Sequence, residues 1–332
     1  MTNVAGTDAA RSTWLTAETW RRAFRDRPII PLIGLLILLS IAFAIVSPSS
    51  ISANWVGLTL RAAIPLAIFA GAQTLTMLTG GIDLSVGAVA SMAGFLMAAL
   101  VVDLGEPGAL AVALVAATAA GTITGIGVGV FRVHPLIMTL AMSLVVLGAS
   151  NALQLIIVKT SSGVPPVVRS IGSDTVSGVL PYSLIVFVPL AAIIVLGLRR
   201  TGYGRLLYAI GDNPIAARLS GARSWQVLLV LYIIAALLAA IAGILVSGLN
   251  NVASVTLSNG YVLPSVAAAV IGGTSIMGGR GGFSGTMVGA LILVVMTSLL
   301  SSFGLPEAVR QILFGSIIVA VAAAYTRVTS DT

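Results

Sequence analysis

An ionisable side chain lies inside a strongly apolar part of the chain. Asp83 occurs in the stretch LTGGIDLSVG, residues 78–87, and hydrophobic segments flank it on both sides. A carboxylate at membrane depth costs about 2.5–3.5 kcal/mol on insertion scales, so it usually faces a cavity or a partner group. Three roles are open to Asp83: a cap or turn residue, the lining of an inner gate, or coupling to a proton or cation.

Glycines around Asp83 allow the chain to break between two helices, and such a break is stable only inside protein or beside water. In a helix that begins near Leu84, Asp83 would cap the free N–H groups of the first turn. Amide side chains elsewhere can line a route for a hydroxylated solute, although hydrogen bonding between helices is the competing role for each of them. The gate and pathway candidates are Gly80, Gly81, Asp83, Ser85, Gln73, Asn151 and Asn250.

Other reactive chemistry is sparse in this sequence. The chain has no cysteine, and its one histidine, His134, cannot build a metal site without distant acidic residues. The glycine-rich stretch GGTSIMGGRGG, residues 272–282, lacks the Gly-Lys-Ser/Thr of a nucleotide-binding loop. We therefore predict a chain that is not an enzyme and that holds no metal or cofactor of its own.

Composition places the chain in a membrane. It is 58% hydrophobic and only 8% charged over 332 residues, whereas a soluble domain carries roughly 25% charged residues. About 20 apolar residues cross a bilayer as one helix. The apolar runs predict ten such spans, near 29–47, 55–79, 84–102, 109–131, 135–158, 182–198, 226–248, 263–278, 284–303 and 309–325.

The prediction is thus an all-α integral membrane protein with three parts: a segment at 1–28, a polytopic domain at 29–326 and a short tail at 327–332. Basic residues set its orientation. With a cytoplasmic N-terminus, thirteen of the 17 basic residues fall on the inside, as the positive-inside rule requires. The outside then receives Arg61, Lys159, Arg169 and Arg310, and both termini are cytoplasmic.

Glycines recur at every fourth position in two segments of the chain. Such small-residue faces let helix backbones approach closely in lipid. Packing within one bundle is the ordinary reading, and a dedicated dimer face is the alternative. The residues are Gly121, Gly125 and Gly129 in one segment, and Gly281, Gly285 and Gly289 in the other.

The longest cytoplasmic loop, residues 199–225, contains the motif NPIAARLSGA. Asn213 suits the N-cap of a short helix, Pro214 its first position, and Gly221 its end. A capped helix that projects between two membrane spans predicts a docking surface for a partner protein. A simple solvated connector is the alternative.

Four segments in the same order resemble the permeases of ribose-type ABC importers. They are LTGGIDLSVGAVASMAG, HPLIMTLAMSLVVLG, RRTGYGRLLYAIGDNPIAARLSGA and VIGGTSIMGGRGGFSGTMVGALIL. The resemblance implies a pore-forming subunit in the bacterial inner membrane, with a monosaccharide or related polyol as solute. It also implies three partners: a cytoplasmic ATPase that binds ATP and Mg, a second permease subunit, and a periplasmic or lipid-anchored sugar-binding protein.

In that family the 199–225 loop contacts the ATPase. The resemblance assigns this contact to Gly204, Arg205, Gly211, Asn213, Ala216, Ala217, Arg218 and Gly221. Two departures stand out: Thr124 where the family commonly has Asn, and Val262 and Pro264 where it has acids. Pairing with a sibling permease that retains the acids is one explanation.

Two other classes of function compete with the importer. A secondary transporter would couple solute movement to a cation or proton through Asp83. A membrane scaffold would have no transport role.

Overall fold

The computed structural model describes residues 29–48, 52–157 and 163–330. The predicted N-terminal segment at 1–28, the basic residue Lys159 and the last two residues of the tail lie outside the described residues. Within them the regular secondary structure is helical apart from two short strands, Thr175–Val176 and Leu180–Pro181, which pair antiparallel. The all-α prediction is confirmed.

Twelve α-helices follow one another in the described ranges. They are α1 (Ile29–Val46), α2 (Ala53–Leu78), α3 (Val86–Gly129), α4 (Pro135–Ile157), α5 (Pro166–Ser173), α6 (Leu184–Arg200), α7 (Gly202–Asp212), α8 (Pro214–Leu219), α9 (Ser224–Asn250), α10 (Val262–Ile271), α11 (Phe283–Ser302) and α12 (Glu307–Ser330). A 3₁₀ turn at Asn259–Tyr261 precedes α10.

Six of these helices are long and apolar enough to cross a membrane: α1, α2, α3, α4, α9 and α11. A seventh is obtained across the described ranges if α6 and α7, bent by 68° at their junction, are taken as one span. These helices agree with a multi-pass membrane protein.

Helix α3 corrects one detail of the sequence prediction. The spans expected at 84–102 and 109–131 form a single helical run of 44 residues with a break at Gly105, whose φ of 68° and ψ of 170° are not helical. At 1.5 Å per residue the run would measure about 66 Å, twice the thickness of a bilayer core. The two limbs, 86–104 and 106–129, are therefore better considered separately.

Contacts with α9 show that the first limb of α3 runs parallel to it. Gly243 leaves room for the backbone of Ala90, and Gly94 leaves room for the side chain of Ser247. Both sequence numbers rise together along this contact. Because the glycines carry no side chain, the two helix backbones come close enough for extensive van der Waals contact.

The second limb of α3 runs antiparallel to α9. A methyl group on Gly121 would lie 2.6 Å from the carbonyl oxygen of Tyr232, and one on Gly129 would lie 2.8 Å from that of Trp225. Sequence numbers now rise on one helix and fall on the other, so the chain reverses direction at Gly105. The prediction that these glycines pack helices within one bundle is confirmed.

The second glycine series brings α10 and α11 together. Gly285 lies against Gly272, and Gly289 lies against Ala268. The span predicted at 263–278 is helical only as far as Ile271, about 15 Å of helix, which is half a membrane crossing. Irregular backbone then continues to the start of α11, with left-handed glycines at positions 273, 278 and 279.

Replacing Gly121 by alanine should destabilise the bundle. The new methyl group would press on Tyr232, and overpacking of this kind costs about 1–3 kcal/mol. The matched control is Gly148→Ala on α4, where no heavy atom lies within 4 Å of the added carbon. That change should be neutral or stabilising by up to about 1 kcal/mol, since alanine favours helix. Thermal denaturation in detergent measures both, and equal midpoints would contradict the packing.

Candidate functional site

The irregular segment between α2 and α3, residues 79–85, is held by side chains from α2 itself and from α4. Gln73 Nε2 donates to the Asp83 carbonyl at 2.7 Å, and the Asp83 N–H donates to Gln73 Oε1 at 3.2 Å. Thr139 of α4 accepts from the Leu84 N–H at 3.0 Å and donates to the Ile82 carbonyl at 3.2 Å. These contacts satisfy backbone polar groups that would otherwise be costly to bury.

The Asp83 carboxylate accepts hydrogen bonds within the same segment. The side chain is 2% exposed, and its Oδ1 accepts from the Ser85 N–H at 2.8 Å and the Ser85 hydroxyl at 2.6 Å. The helix predicted to begin near Leu84 begins at Val86, with Ser85 rather than Asp83 as its N-cap. Asp83 thus fixes the turn that leads into α3 by holding Ser85.

Helices α4 and α9 close over the segment at Gly81. A methyl group there would lie 3.0 Å from the Tyr232 hydroxyl and 3.1 Å from Pro135 Cβ. The Tyr232 hydroxyl is buried and has no hydrogen-bond partner in the described part of the chain. Neither Tyr232 nor Thr139 was predicted as a site residue, since each contacts the segment from far along the sequence.

The structure gathers some of the predicted pathway residues and leaves others apart. One cluster contains Gly80, Gly81, Asp83, Ser85 and Gln73. Asn151 is exposed on α4. Asn250 is exposed at the end of α9, where its amide donates to the Val246 carbonyl at 2.8 Å. Neither asparagine hydrogen-bonds to the cluster, and a pathway role for any of these residues stays a prediction.

The 199–225 loop is more ordered than the sequence suggested. Asn213 Oδ1 accepts from the N–H groups of Ile215 and Ala216 at 3.0 and 2.9 Å, so it caps α8, and Gly221 follows the helix with a φ of +88°. The residues before Asn213 were expected to be loop, yet they form α7. Thr201 caps that helix by accepting from the Gly204 N–H at 3.1 Å.

Helices α7 and α8 each have one exposed face and one buried face. The aliphatic side chains of Ile215 and Leu219 are 62% and 84% exposed on α8. Among the residues assigned to ATPase contact, the exposed ones are Arg205, Asn213, Ala216, Arg218 and Gly221, whereas Gly204 and Ala217 are buried and Gly211 is half-buried. Their contact with an ATPase stays a prediction.

Gly211 joins α7 to both irregular segments. A methyl group on Gly211 would overlap the Leu78 carbonyl and lie 2.6 Å from the Gly279 nitrogen. The Gly279 N–H donates to that same Leu78 carbonyl at 3.0 Å. Gly278 is packed against the Gly211 carbonyl and the Gly80 nitrogen, each 2.9 Å from the position of a Cβ atom. We call this set (Leu78, Gly80, Gly211, Gly278 and Gly279) the glycine junction.

A second contact ties α7 to the 272–282 segment. The Tyr208 hydroxyl donates to the Gly281 carbonyl at 2.9 Å. Burial raises the pKa of Tyr208 above its ordinary value, and the nearby Arg199 guanidinium opposes the shift only in part. The hydroxyl therefore stays protonated and available as a donor at neutral pH.

Replacing Asp83 separates its turn-forming role from ion coupling. Asp83→Asn keeps an oxygen that can accept from Ser85, so we expect normal insertion and nearly unchanged thermal stability in detergent and solute uptake. Asp83→Ala orphans a buried N–H and a buried hydroxyl, which costs about 1–3 kcal/mol for each group. Complete loss of uptake in normally inserted Asp83→Asn would instead favour a coupling carboxylate.

Comparison with known proteins places the chain among transport permeases. A family model described as the permease component of the branched-chain amino acid transport system matches residues 56–322. The fructose import permease protein FrcC of Rhizobium meliloti is 33% identical over 327 residues, which cover 96% of this chain and 90% of that protein. No solved structure matches the chain significantly.

Two ribose permeases are similar to the same extent. The ribose import permease protein RbsC of Escherichia coli K12 is 34% identical over 303 residues, covering 86% of this chain and 90% of that protein. RbsC of Bacillus subtilis strain 168 is 32% identical over 290 residues, covering 87% and 89%. The family model and these relatives cover most of the chain, so it belongs to the permease family of the branched-chain amino acid transport system, together with the ribose and fructose import permeases.

Proposed function

We propose that this chain is the pore-forming permease subunit of an ATP-driven importer for a monosaccharide or related polyol. The names of the relatives, ribose and fructose import permeases, support the class of solute. The observation that carries the proposal is the glycine junction. It connects an exposed helix pair, suited to docking, with the two irregular segments that interrupt the membrane helices.

The proposed topology has ten membrane crossings with both termini in the cytoplasm of a bacterium, the chain lying in the inner membrane. Each of the ten predicted spans has at least a partly helical counterpart: α1, α2, the two limbs of α3, α4, α6, α9, α10, α11 and α12, of which α10 covers only the first half of its span. The opposite directions of the α3 limbs support two crossings there. This topology puts α7, α8 and their basic residues on the cytoplasmic side.

The proposed partners follow from this placement. A cytoplasmic ATPase, which would bind ATP and Mg itself, docks on the exposed face of α8 formed by Ile215, Arg218 and Leu219. A second permease subunit completes the pore, and a periplasmic or lipid-anchored binding protein delivers the solute. Pairing with a sibling permease that has acids in place of Val262 and Pro264 remains our hypothesis. Purification of a homodimer with intact transport would count against it.

The proposed mechanism uses α7 as a rigid link. Closure of the ATPase would displace α8 and, with it, α7. Because Gly211 is packed directly on the backbone of Leu78 and Gly279, no flexible side chain lies between α7 and the irregular segments to absorb the movement. The inner ends of α2 and α3, and of α10 and α11, would move together and change access to the pathway.

The rival secondary transporter receives less support from the site. Coupling through Asp83 requires its carboxylate to exchange a proton or cation with the pathway, whereas both Asp83–Ser85 contacts hold that group in a buried turn. Uptake by this chain alone in liposomes, dependent on an ion gradient and without an ATPase, would decide for the rival.

Charge on the exposed face of α8 should remove the ATPase. The double variant Ile215→Glu with Leu219→Glu replaces two exposed aliphatic side chains that the fold does not need, so the chain should still insert and purify. We expect the ATPase to be lost from a mild-detergent pull-down analysed by mass spectrometry. The control, Ile215→Val with Leu219→Met, keeps an apolar surface and should retain it. Retention by the double glutamate variant would place docking elsewhere.

Strain at the glycine junction should uncouple transport from docking. Gly211→Ala overlaps the Leu78 carbonyl but leaves the exposed face of α8 intact, so the ATPase should still co-purify. Overpacking costs about 1–3 kcal/mol. If this cost adds to the barrier for movement of α7, transport slows by about 5- to 150-fold. ATP-dependent uptake in proteoliposomes should fall by at least about fivefold. Gly197→Ala on α6, where the added carbon meets nothing within 4 Å, should leave uptake unchanged.

A further inference from the structure

A cavity of about 670 Å³ opens where three of the proposed membrane crossings end on the side of α7. It is bounded by the beginning of α1, the end of α6 and the first turn of α11, together with part of the 272–282 segment. In the proposed topology all three are cytoplasmic ends, so the cavity lies at the level of the inner lipid headgroups. The mechanism above assigns it no role.

Two arginines from distant parts of the chain converge on this cavity. Arg199 lies in the last turn of α6 and Arg280 lies in the loop before α11, and both line the cavity. Arg199 Nη2 donates to the Ser284 hydroxyl at 3.3 Å. Neither guanidinium pairs with an acid within the described ranges, where the one salt bridge joins Glu307 to Arg310. Two positive charges that border one cavity favour the binding of an anion there.

The first turn of α11 adds hydrogen-bond donors to the same cavity. Residues 282–285 line it, and the first N–H groups of an α-helix have no partner within the helix. The N-cap residue is Gly282, which has no side chain that could accept from them. The positive end of the α11 dipole therefore borders the cavity beside the two arginines, an arrangement that suits a phosphate group.

Another part of the cavity wall is apolar. Ile29 and Ile30 of α1 contribute to it, and so do Val195 and Leu198 of α6. Ile30 is 42% exposed in the first turn of a helix long enough to cross a membrane. A free inorganic anion gains nothing from such side chains, whereas the glycerol and acyl parts of a lipid would pack on them. Charge and apolar surface together therefore favour a lipid over a free anion.

We infer that this cavity binds the phosphate headgroup of an anionic phospholipid. The guanidinium groups of Arg199 and Arg280 would donate to its phosphate oxygens, as basic pockets between membrane helices do on the cytoplasmic side. The volume is within the range of about 300–1,000 Å³ typical of small-molecule sites. The assignment to the inner leaflet rests on the proposed topology. Because Arg280 follows Gly279 of the glycine junction, one bound lipid would link α6 to the segment that the proposed mechanism moves.

Native mass spectrometry of the full chain in detergent measures the binding. We expect phosphatidylglycerol to bind more tightly than phosphatidylcholine with the same acyl chains, because only the first has a net negative charge. Arg199→Gln with Arg280→Gln should weaken phosphatidylglycerol binding at least about tenfold, since each basic residue near a lipid surface contributes about fivefold. The matched control, Arg200→Gln with Arg205→Gln, removes the same charge from residues outside the cavity lining and should leave the affinity unchanged. All four side chains are exposed, so both variants should insert and purify.

Equal binding of the two lipids would overturn the inference. An equal loss of affinity in the two double variants would also overturn it, because the binding would then reflect only the general attraction of basic residues for anionic lipid. Inorganic phosphate is the probe for a free anion. If it displaces phosphatidylglycerol and raises the thermal midpoint as much as the lipid does, the cavity is a site for a free anion.

A rival occupant of the cavity is contained in the chain itself. Asp26 precedes Ile29 by three positions in the sequence and could compete for the two arginines. If Asp26→Asn strengthens phosphatidylglycerol binding at least about fivefold, the loss of one opposing charge, the N-terminal segment occupies the cavity and the inference is wrong. Unchanged binding in Asp26→Asn supports it. These measurements use neither an ATPase nor a sugar, so failure of this site and failure of the proposed function are distinguishable.

Discussion

Backbone that leaves a helix inside an apolar environment must find new hydrogen-bond partners, and this constraint organises the centre of the protein. The segment at 79–85 meets it through Gln73 of α2 and Thr139 of α4, while Asp83 stabilises the turn into α3. In the segment at 272–282, some backbone groups find hydrogen-bond partners in the Leu78 carbonyl and the Tyr208 hydroxyl. Each break is thus tied to helices distant in sequence. Neither can move without changing the contacts of its neighbours.

Close packing of helix backbones is the second condition of the fold. Without a hydrophobic drive between helices in lipid, van der Waals contact has to supply much of the cohesion. Helix α9 obtains it on both sides, from the parallel limb of α3 at Gly243 and from the antiparallel limb at Gly121. Helix α9 is consequently fixed in register against the two helical limbs of α3, which form a hairpin-like element. These closely packed helices provide rigid support for the irregular segments.

Local signals in the sequence predicted much of this architecture. Apolar length located the helices, and the Asn-Pro pair at Asn213 identified the start of α8, because both depend on neighbouring residues alone. Helix α7 was missed because its three glycines read as loop, although burial of Leu207 and Ile210 one turn apart supports a helix. The break at Gly105 was read as a connecting loop, whereas helical hydrogen bonding continues almost to it.

The candidate site was less accessible to sequence reasoning. Asp83, Gln73 and the glycines could be singled out because polar or flexible residues are rare in an apolar chain. Their mutual contacts could not, since Thr139 and Tyr232 reach the segment from more than fifty residues away. Asn151 and Asn250 share the same chemistry yet lie apart from the cluster, which shows that residue type alone does not place a side chain in a site.

The glycine junction is made of main-chain atoms, whereas the exposed face of α8 is made of side chains. Recognition of a partner and transfer of its movement would therefore be encoded in different parts of the sequence. If the ATPase docks as proposed, Ile215, Arg218 and Leu219 would be free to diverge until they suit one ATPase and exclude another, with no compensating change at Gly211 or Gly279. In such a permease, docking and coupling would be separable. Exchanging the surface residues of α8 between relatives would then change which ATPase docks without altering the glycine junction.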